Sequence, residues 1–306
     1  MLKRCLTLII VVFFGSTQKI NACDVCGGGG VSPSLGYIPK LNKHFIGTRY
    51  ARGYYHSQHT VLDPSDTPLE SDESFHYAEL RARYVLNARF QFFVFIPYQS
   101  IIKEDAHART VNSGLGDMSF QASYKPGWFN PESTTRQTLL LNAGFKAPTG
   151  DYNVLDNSYE IWIPNLQLGT GSWDFNTGIN YILQHKSWGV INETFVSINT
   201  PNPDKYRFGN RYKSQIKAFY ASENFKKNHT FLAHAGYAYE HLDTDQISGF
   251  SRSLSGGYVH AISLGAEMFF LDWNLNAQIA QPVSYSLSDG YVTPKTQFQV
   301  IVNYLF

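Results

Sequence analysis

The sequence predicts an all-β fold, a transmembrane antiparallel up-and-down β-barrel of about twelve strands with both termini on the periplasmic side. Three observations support this prediction. From residue 43 onward, apolar and polar residues alternate with period two, which is typical of β-strands. The alternating segments reach the roughly 9 to 11 residues that a tilted strand needs to cross a bilayer. Aromatic residues gather near segment ends, and the last segment ends on Phe306.

The first 22 residues have the layout of an export signal. Lys3 and Arg4 precede an apolar run that begins at Leu6, and small or polar residues follow it up to Ala22. The run is too short for a transmembrane helix, which takes about 20 residues. We therefore expect a signal peptide over 1–22, a Cys/Gly-rich periplasmic leader over 23–42 and an outer-membrane β-barrel over 43–306.

The composition agrees with an exported β protein. The 306-residue chain contains 22 Phe, 20 Tyr, 5 Trp and 24 Gly, and its mean hydropathy is −0.25. Its formal net charge of +1 gives no indication of nucleic-acid binding. We expect the protein in the bacterial outer membrane, with the membrane lipids as its surroundings. We also expect the barrel assembly machinery to recognise the C-terminal Phe306.

The alternation assigns a face to each side chain. In the segment 114–125, the apolar residues Met118, Phe120, Ala122 and Tyr124 alternate with polar ones. A soluble sandwich would show the same alternation, with its apolar face turned inward. Segment length, aromatic placement and the C-terminal strand favour the barrel, in which the apolar face contacts lipid and the polar face lines the lumen.

Alternating long and short connections predict the number of strands. The twelve expected strands are 43–57, 75–86, 89–102, 114–125, 137–147, 160–184, 188–199, 211–224, 230–241, 257–270, 273–283 and 295–306. The strand 160–184 is about twice the usual length, and its apolar parity changes near Gly169 to Ser172. Glycines inside a strand often mark a bulge, so we expect one bulged strand there.

Three motifs together resemble a known family. They are Gly114-Leu115-Gly116-Asp117, Lys146-Ala147-Pro148-Thr149-Gly150-Asp151 and Leu168-Gly169-Thr170-Gly171-Ser172. In this order and spacing they resemble the outer-membrane transporter family named for a meta-pathway of phenol degradation, and the segment 43–50 looks like its Bacteroidetes-type members. The resemblance implies a barrel that passes small, often hydrophobic or aromatic, compounds. From the residues alone, the motifs are turn and bend formers.

Charged residues on the polar parity are the candidate lumen residues. They are Glu79, Arg81, Arg83, Asp117, Lys146, Asp174, Glu193, Lys213, Lys217, Glu240 and Glu267. They would form a charged constriction that selects solutes, or they would pair across the lumen and brace the wall. A twelve-strand barrel lies between side-chain-filled and open-channel sizes, so we expect a narrow or partly plugged polar pore.

Two alternative functions remain open. A metal-related protein would use Cys23 and Cys26 of the leader together with His56-x-x-His59, which leads into an acidic loop. An outer-membrane lipid hydrolase would need a Ser-His pair on the wall, but no motif surrounds a serine in this chain. We therefore expect no enzyme and no cofactor.

Cys23 directly follows the expected signal, so its fate depends on processing. Ile20-Asn21-Ala22-Cys23 partly matches a lipobox, which would make Cys23 a lipid anchor. Otherwise Cys23 and Cys26 meet an oxidising compartment, where a disulfide, a soft-metal site or two inert thiols are possible.

Overall fold

The computed structural model describes residues 43–59, 69–127, 134–153, 163–224 and 229–306. The predicted signal peptide and leader lie outside these residues. The strands are β1 (Phe45–His59), β2 (Leu69–Val85), β3 (Phe90–Asp105), β4 (Arg109–Leu115), β5 (Ser119–Tyr124), β6 (Thr135–Lys146), β7 (Asp174–His185), β8 (Trp188–Ile198), β9 (Tyr206–Arg207), β10 (Arg211–Asn224), β11 (His229–Leu242), β12 (Gln246–Ile247), β13 (Phe250–Ser251), β14 (Gly257–Phe270), β15 (Trp273–Leu287), β16 (Val292–Pro294) and β17 (Gln297–Leu305). Within the described ranges, no helix has the length and apolar character to cross a membrane.

The wall is a closed antiparallel barrel in which each strand pairs with its neighbours along the chain. β4 and β5 both pair with β3 and form one interrupted wall strand, while β16 and β17 do the same beside β1. Counted in this way, the wall has twelve strands, which confirms the predicted number and topology. Backbone hydrogen bonds of 3.0 Å in both directions join His44 to Phe306, so both ends of the barrel meet at one rim.

Tight turns identify this rim as the periplasmic one. Lys186 between β7 and β8 and Leu271 between β14 and β15 have positive φ angles of 52° and 51°. Such angles are typical of two-residue hairpin turns, and short turns lie on the periplasmic side of outer-membrane barrels. The opposite end, with the longer connections, is therefore the extracellular end.

The two faces of the wall follow the predicted parity. On β5, Phe120 is exposed on the outer surface, whereas Gln121 and Ser123 are buried in the lumen. On β14, Leu264 is 62% exposed and its neighbour Ser263 only 6%. Apolar side chains outside and polar ones inside are the arrangement that a lipid environment requires.

The expected bulged strand 160–184 is wrong over residues 163–173, the part before β7 that the structure describes. β6 ends at Lys146 and β7 begins only at Asp174, and residues 163–172 form a 3-10 turn at Pro164–Leu166 and an irregular stretch. This stretch, which we call the inward segment, packs inside the barrel, with Leu166 and Leu168 buried. Gly171 has a φ of 69°, which favours glycine and does not fit a strand. The parity change therefore marks a departure from the wall.

Two further differences concern the extracellular half. We expected a strand to begin at Gly114, but Gly114 and Leu115 are the last residues of β4, and residues 116–118 separate β4 from β5. Gly116 N donates to Pro97 O at 2.9 Å. The connections 200–210 and 242–256 contain a small three-stranded sheet formed by β9, β12 and β13. Residues after Gly116 resume pairing with β3, so the barrel count is unchanged.

The lumen contains more apolar side chains than we expected for a polar pore. The periplasmic cluster consists of Phe45, Phe93, Phe95, Leu140, Ile182, Ile191, Phe219, Ala221, Leu232, Phe269 and Leu305. The extracellular cluster consists of Tyr55, Phe75, Tyr77, Ile101, Ile163, Leu166, Leu168, Leu242, Leu287 and Val292. The lumen of the described barrel is thus partly plugged by its own side chains, as expected for this strand number.

Candidate functional site in the barrel lumen

A cavity of about 200 Å³ lies inside the barrel beside the inward segment. Its apolar lining includes Phe75, Phe95, Ile101, Leu168 and Phe208. Its charged lining consists of Glu79, Asp117, Lys146, Asp174, Arg211, Lys213 and Asp245. Apolar walls with a few placed polar groups are typical of small-molecule sites.

Asp117 anchors the inward segment to the wall. Its Oδ1 accepts a hydrogen bond of 2.9 Å from Gly150 N, and its Oδ2 accepts one of 2.8 Å from Thr170 N. Lys146 Nζ lies 3.1 Å from Asp117 Oδ2 and 2.5 Å from Asp174 Oδ2. One carboxylate thus joins the three glycine-containing motifs, which supports their interpretation as structural elements.

The inward segment is also held from the β3–β4 side of the lumen. Gln99 Nε2 donates to Leu168 O at 3.0 Å, and Asn112 Nδ2 donates to Leu166 O at 2.5 Å. These bonds satisfy backbone carbonyls that the segment does not pair with a strand. The segment therefore bridges two parts of the wall and narrows the lumen between them.

Glu79 and Arg49 form a buried ion pair at the edge of the cavity. Glu79 lies on β2 opposite Arg49 of β1, and Arg49 Nη2 is 3.8 Å from Glu79 Oε2. Glu79 is 7% exposed and Arg49 1%. Among the described residues, neither the three guanidinium nitrogens of Arg49 nor Glu79 Oε1 has a hydrogen-bond partner. Buried charged groups without hydrogen bonds are uncommon in proteins.

Arg81 and Arg83 continue this charged row toward the periplasmic rim. The Arg81 guanidinium lies 5.5 Å from the Phe45 ring centre and 5.6 Å from that of Phe95. Arg83 lies 4.9 Å from the Phe45 ring, and its Nε donates to Lys43 O at 2.9 Å. Cation–π contacts and a backbone carbonyl thus stabilise cations inside an otherwise apolar layer.

A ladder of polar side chains crosses the opposite wall. Gln121 Nε2 donates to Asn142 Oδ1 at 3.0 Å, and Asn142 Nδ2 donates to Asn180 Oδ1 at 2.6 Å. Asn180 Nδ2 donates to Glu193 Oε1 at 3.2 Å, and Lys217 Nζ lies 3.0 Å from Glu193 Oε2. The ladder pairs buried polar groups with one another, which lowers the cost of burying them.

The remaining candidate residues are also paired inside the barrel. Arg211 and Lys213 lie 3.2 and 3.5 Å from the carboxylate of Glu240. Glu267 Oε1 accepts a hydrogen bond of 2.7 Å from Asn274. Selection of solutes and bracing of the wall both stay proposals for these charged residues.

Arg49 was not among the predicted lumen residues. It has the same parity as Phe45 and Tyr55, both of which point into the lumen. This shared parity could have identified Arg49 as a lumen residue. However, Ile46 and Tyr50 on the other face make the strand apolar on both sides, so its sequence does not show which face points into the lumen. The pairing of Arg49 with Glu79 depends on the register between β1 and β2, which the two strand patterns do not specify.

The predicted metal site is only partly described. Cys23 and Cys26 lie outside the described residues, and so does the side chain of His59. His56 Nδ1 is 2.9 Å from Asp72 Oδ1, and its Nε2 is 3.8 Å from Glu70 Oε2. In the described ranges, no group of three or more His, Cys, Asp or Glu side chains is arranged to hold a metal ion. The site and the fate of Cys23 stay predictions.

A family model described as "Putative MetA-pathway of phenol degradation" matches residues 57–285. The match includes all three glycine motifs and spans most of the barrel, so the predicted family resemblance is confirmed. The likeness to Bacteroidetes-type members stays a prediction. No curated protein matches the chain at a significant level.

Among solved structures, the chain is similar to the COG4313 outer membrane channel from Pseudomonas putida F1. The identity is 17%, the TM-score is 0.66, and the match covers 90% of this chain and 100% of that one. The beta domain of the Bordetella autotransporter Brka has 10% identity and a TM-score of 0.47, covering 85% and 100% of the two chains. The barrel fold and the apolar outer surface locate the protein in the bacterial outer membrane.

Proposed function

We propose that the barrel passes small apolar or amphipathic solutes through the lumen cavity. The premise of this proposal is that the chain belongs to the outer-membrane family described as "Putative MetA-pathway of phenol degradation". The observation that carries this proposal is the cavity of about 200 Å³, whose walls combine aromatic and aliphatic side chains with a few charged groups. An open porin for hydrophilic solutes would instead have a water-filled lumen.

The arrangement of the lumen supports solutes that leave water on entry. The extracellular cluster offers apolar contacts beside the cavity, and Ile101 and Leu168 belong to both. Each buried methylene group of a solute gains about 0.8 kcal/mol from leaving water. Lys146, Arg211 and Lys213 of the cavity lining already pair with carboxylates, so they offer a hydrophilic solute little compensation for the water that it leaves. The membrane lipids and the small solute are therefore the proposed partners.

Uptake of an apolar fluorescent probe by intact cells tests the proposal. Cells that produce the protein should take up N-phenyl-1-naphthylamine faster than cells that lack it, because lipopolysaccharide slows entry of such probes. Uptake of a hydrophilic probe such as nitrocefin should stay unchanged. Equal uptake of the apolar probe in both strains, at equal amounts of folded barrel, would contradict the proposal.

A variant pair locates the passage. Ile101→Trp places a larger side chain at a buried cavity position and should slow uptake toward the rate of cells without the protein. Val111→Trp is the matched control, because Val111 is 48% exposed and does not line the cavity. Similar uptake by the two variants would place the passage elsewhere.

A further inference from the structure

We infer that the periplasmic cluster is a gate that closes the lumen below the cavity, and that the buried charges of Arg81 and Arg83 set how often this gate opens. The inference rests on the proposed function, because a barrel that passes solutes to the periplasm has to open at the level of this cluster. It assigns the control of passage to a layer of the lumen apart from the cavity and the inward segment.

The periplasmic cluster crosses the whole lumen. Its members come from nine of the twelve wall strands, namely β1, β3, β6, β7, β8, β10, β11, β14 and β17. Each member is at most 8% exposed, and Leu232 is fully buried. Inward side chains beside a water-filled channel would remain accessible to water, so the described part of the barrel is closed to water at this level.

The cavity ends at this layer. Phe95 is the member of the periplasmic cluster that also lines the cavity, and the other members do not. A solute that leaves the cavity toward the periplasmic rim therefore has to pass between the side chains of the cluster. Apolar constrictions of this kind close channels by excluding water, and they open when water enters.

Arg81 and Arg83 place two positive charges in this apolar layer. Both residues are 2% exposed. The Arg81 guanidinium group lies 5.5 and 5.6 Å from the ring centres of two cluster members, Phe45 and Phe95. Arg81 also interacts electrostatically with glutamates on β8 and β14, which lie across the lumen from β2. Its guanidinium group therefore points away from its own strand and into the layer.

These two charges favour the open state of the layer. A guanidinium group loses its hydration on burial, and cation–π contacts replace only part of it. Entry of water into the layer restores that hydration, whereas it exposes the aromatic and aliphatic members of the cluster to water. The two arginines therefore lower the free energy of opening, and the apolar members raise it.

Single-channel recording of the full chain in planar bilayers tests the gate. The wild-type barrel should switch between a closed and a conducting state, and the open fraction is read separately from the conductance of the open state. Arg81→Met replaces the charge by an unbranched apolar side chain, so the open fraction should fall about tenfold. Leu232→Gln places a polar group in the layer, so the open fraction should rise.

Three results would overturn the inference. They are a wild-type barrel that stays open, an open fraction that is unchanged in Arg81→Met, and the absence of a conducting state in the wild type and Leu232→Gln alike. If Arg81→Met does not fold, Arg83→Met decides by the same criterion.

Lys103→Met is the matched control. Lys103 is a lumen cation on β3 that is 7% exposed, but it lies outside the periplasmic cluster and does not line the cavity. The open fraction of this variant should equal that of the wild type, and a fall equal to that of Arg81→Met would contradict the role of the layer. Because the recordings measure gating and the probe assay measures entry, a failed gate with normal probe uptake is distinguishable from failed passage.

Discussion

At the scale of single residues, the Asp117 carboxylate connects the inward segment to the barrel wall through several hydrogen bonds. Its two carboxylate oxygens accept hydrogen bonds from Gly150 N, Thr170 N and the Thr170 hydroxyl group. Lys146 Nζ lies 3.1 Å from Asp117 Oδ2. Charge-assisted hydrogen bonds of this kind are stronger than neutral ones. Asp117, just before β5, is therefore a main attachment of the inward segment, beside the bonds from Gln99 and Asn112.

We predict that Asp117→Asn loosens the inward segment. An asparagine amide presents a donor where a carboxylate oxygen accepted one, so at least one backbone N–H loses its partner, at a cost of about 1–3 kcal/mol. The variant should unfold at lower denaturant concentration and show a higher single-channel conductance in planar bilayers.

Asp105→Asn is the control for this prediction. Asp105 Oδ1 also accepts two backbone N–H groups, from His107 at 2.8 Å and Ala108 at 2.9 Å, but these lie in the turn after β3. Asp105→Asn should lower stability without raising the conductance. Wild-type conductance in Asp117→Asn would show that the segment does not limit the passage.

At the scale of elements, the wall strands could be predicted from sequence, whereas the inward segment could not. Lipid on one side and the lumen on the other impose period-two alternation on every wall strand. The inward segment alternates in sequence as well, because Leu166 and Leu168 are interleaved with Asn165 and Gln167, yet all four residues are buried. Alternation in the sequence alone therefore does not distinguish a wall strand from this segment.

In the candidate site too, the sequence predicts which face a side chain occupies but not which residue lies opposite it. Parity placed Glu79 and Asp117 on the inner face, where they lie. It did not indicate that Glu79 opposes Arg49 or that Asp117 reaches Thr170, because these contacts join distant parts of the chain. Cross-strand pairing and the path of an irregular segment depend on tertiary packing.

We predict that Gly169→Ala displaces the inward segment. An added Cβ at Gly169 would lie 2.5 Å from both Asp117 Oδ1 and Gly150 O, and the backbone atom cannot move aside cheaply. Overpacking of this kind typically costs about 1–3 kcal/mol. The denaturation midpoint of the purified barrel should fall accordingly.

Gly127→Ala provides the comparison. The nearest atom to its added Cβ is Arg89 Nη2, the end of a flexible side chain, at 3.3 Å. This variant should unfold close to the wild-type midpoint. A Gly169→Ala barrel as stable as Gly127→Ala would mean that the inward segment adjusts without loss.

At the scale of the whole molecule, the barrel consists of an apolar outer belt, a closed hydrogen-bonded wall and a partly plugged lumen. The wall is completed where β1 pairs with β17 over Phe45–Arg52 and Phe298–Leu305. Such closure leaves no strand edge in lipid. The terminal Phe306 is 60% exposed at the rim, where its ring stacks with His44 at 5.6 Å.

We predict that Phe306→Ala lowers the amount of barrel in the outer membrane more than it lowers the stability of the folded barrel. An exposed terminal ring contributes little to packing, but it remains available to the assembly machinery. Unheated and boiled samples on SDS gels measure the folded fraction, and denaturation of purified protein measures stability. A large loss of stability with normal membrane levels would contradict this assignment.

The pairing of β1 with β17 joins the first and the last described strands of the barrel. Of all the described strands, the partner that covers the β1 edge is thus the farthest from it along the chain. While the barrel is still open, Phe45–Arg52 presents unpaired backbone groups, and an edge of this kind can pair with another chain. A chain without β17 would keep that edge open, and we expect it to aggregate rather than to form a slightly weaker barrel.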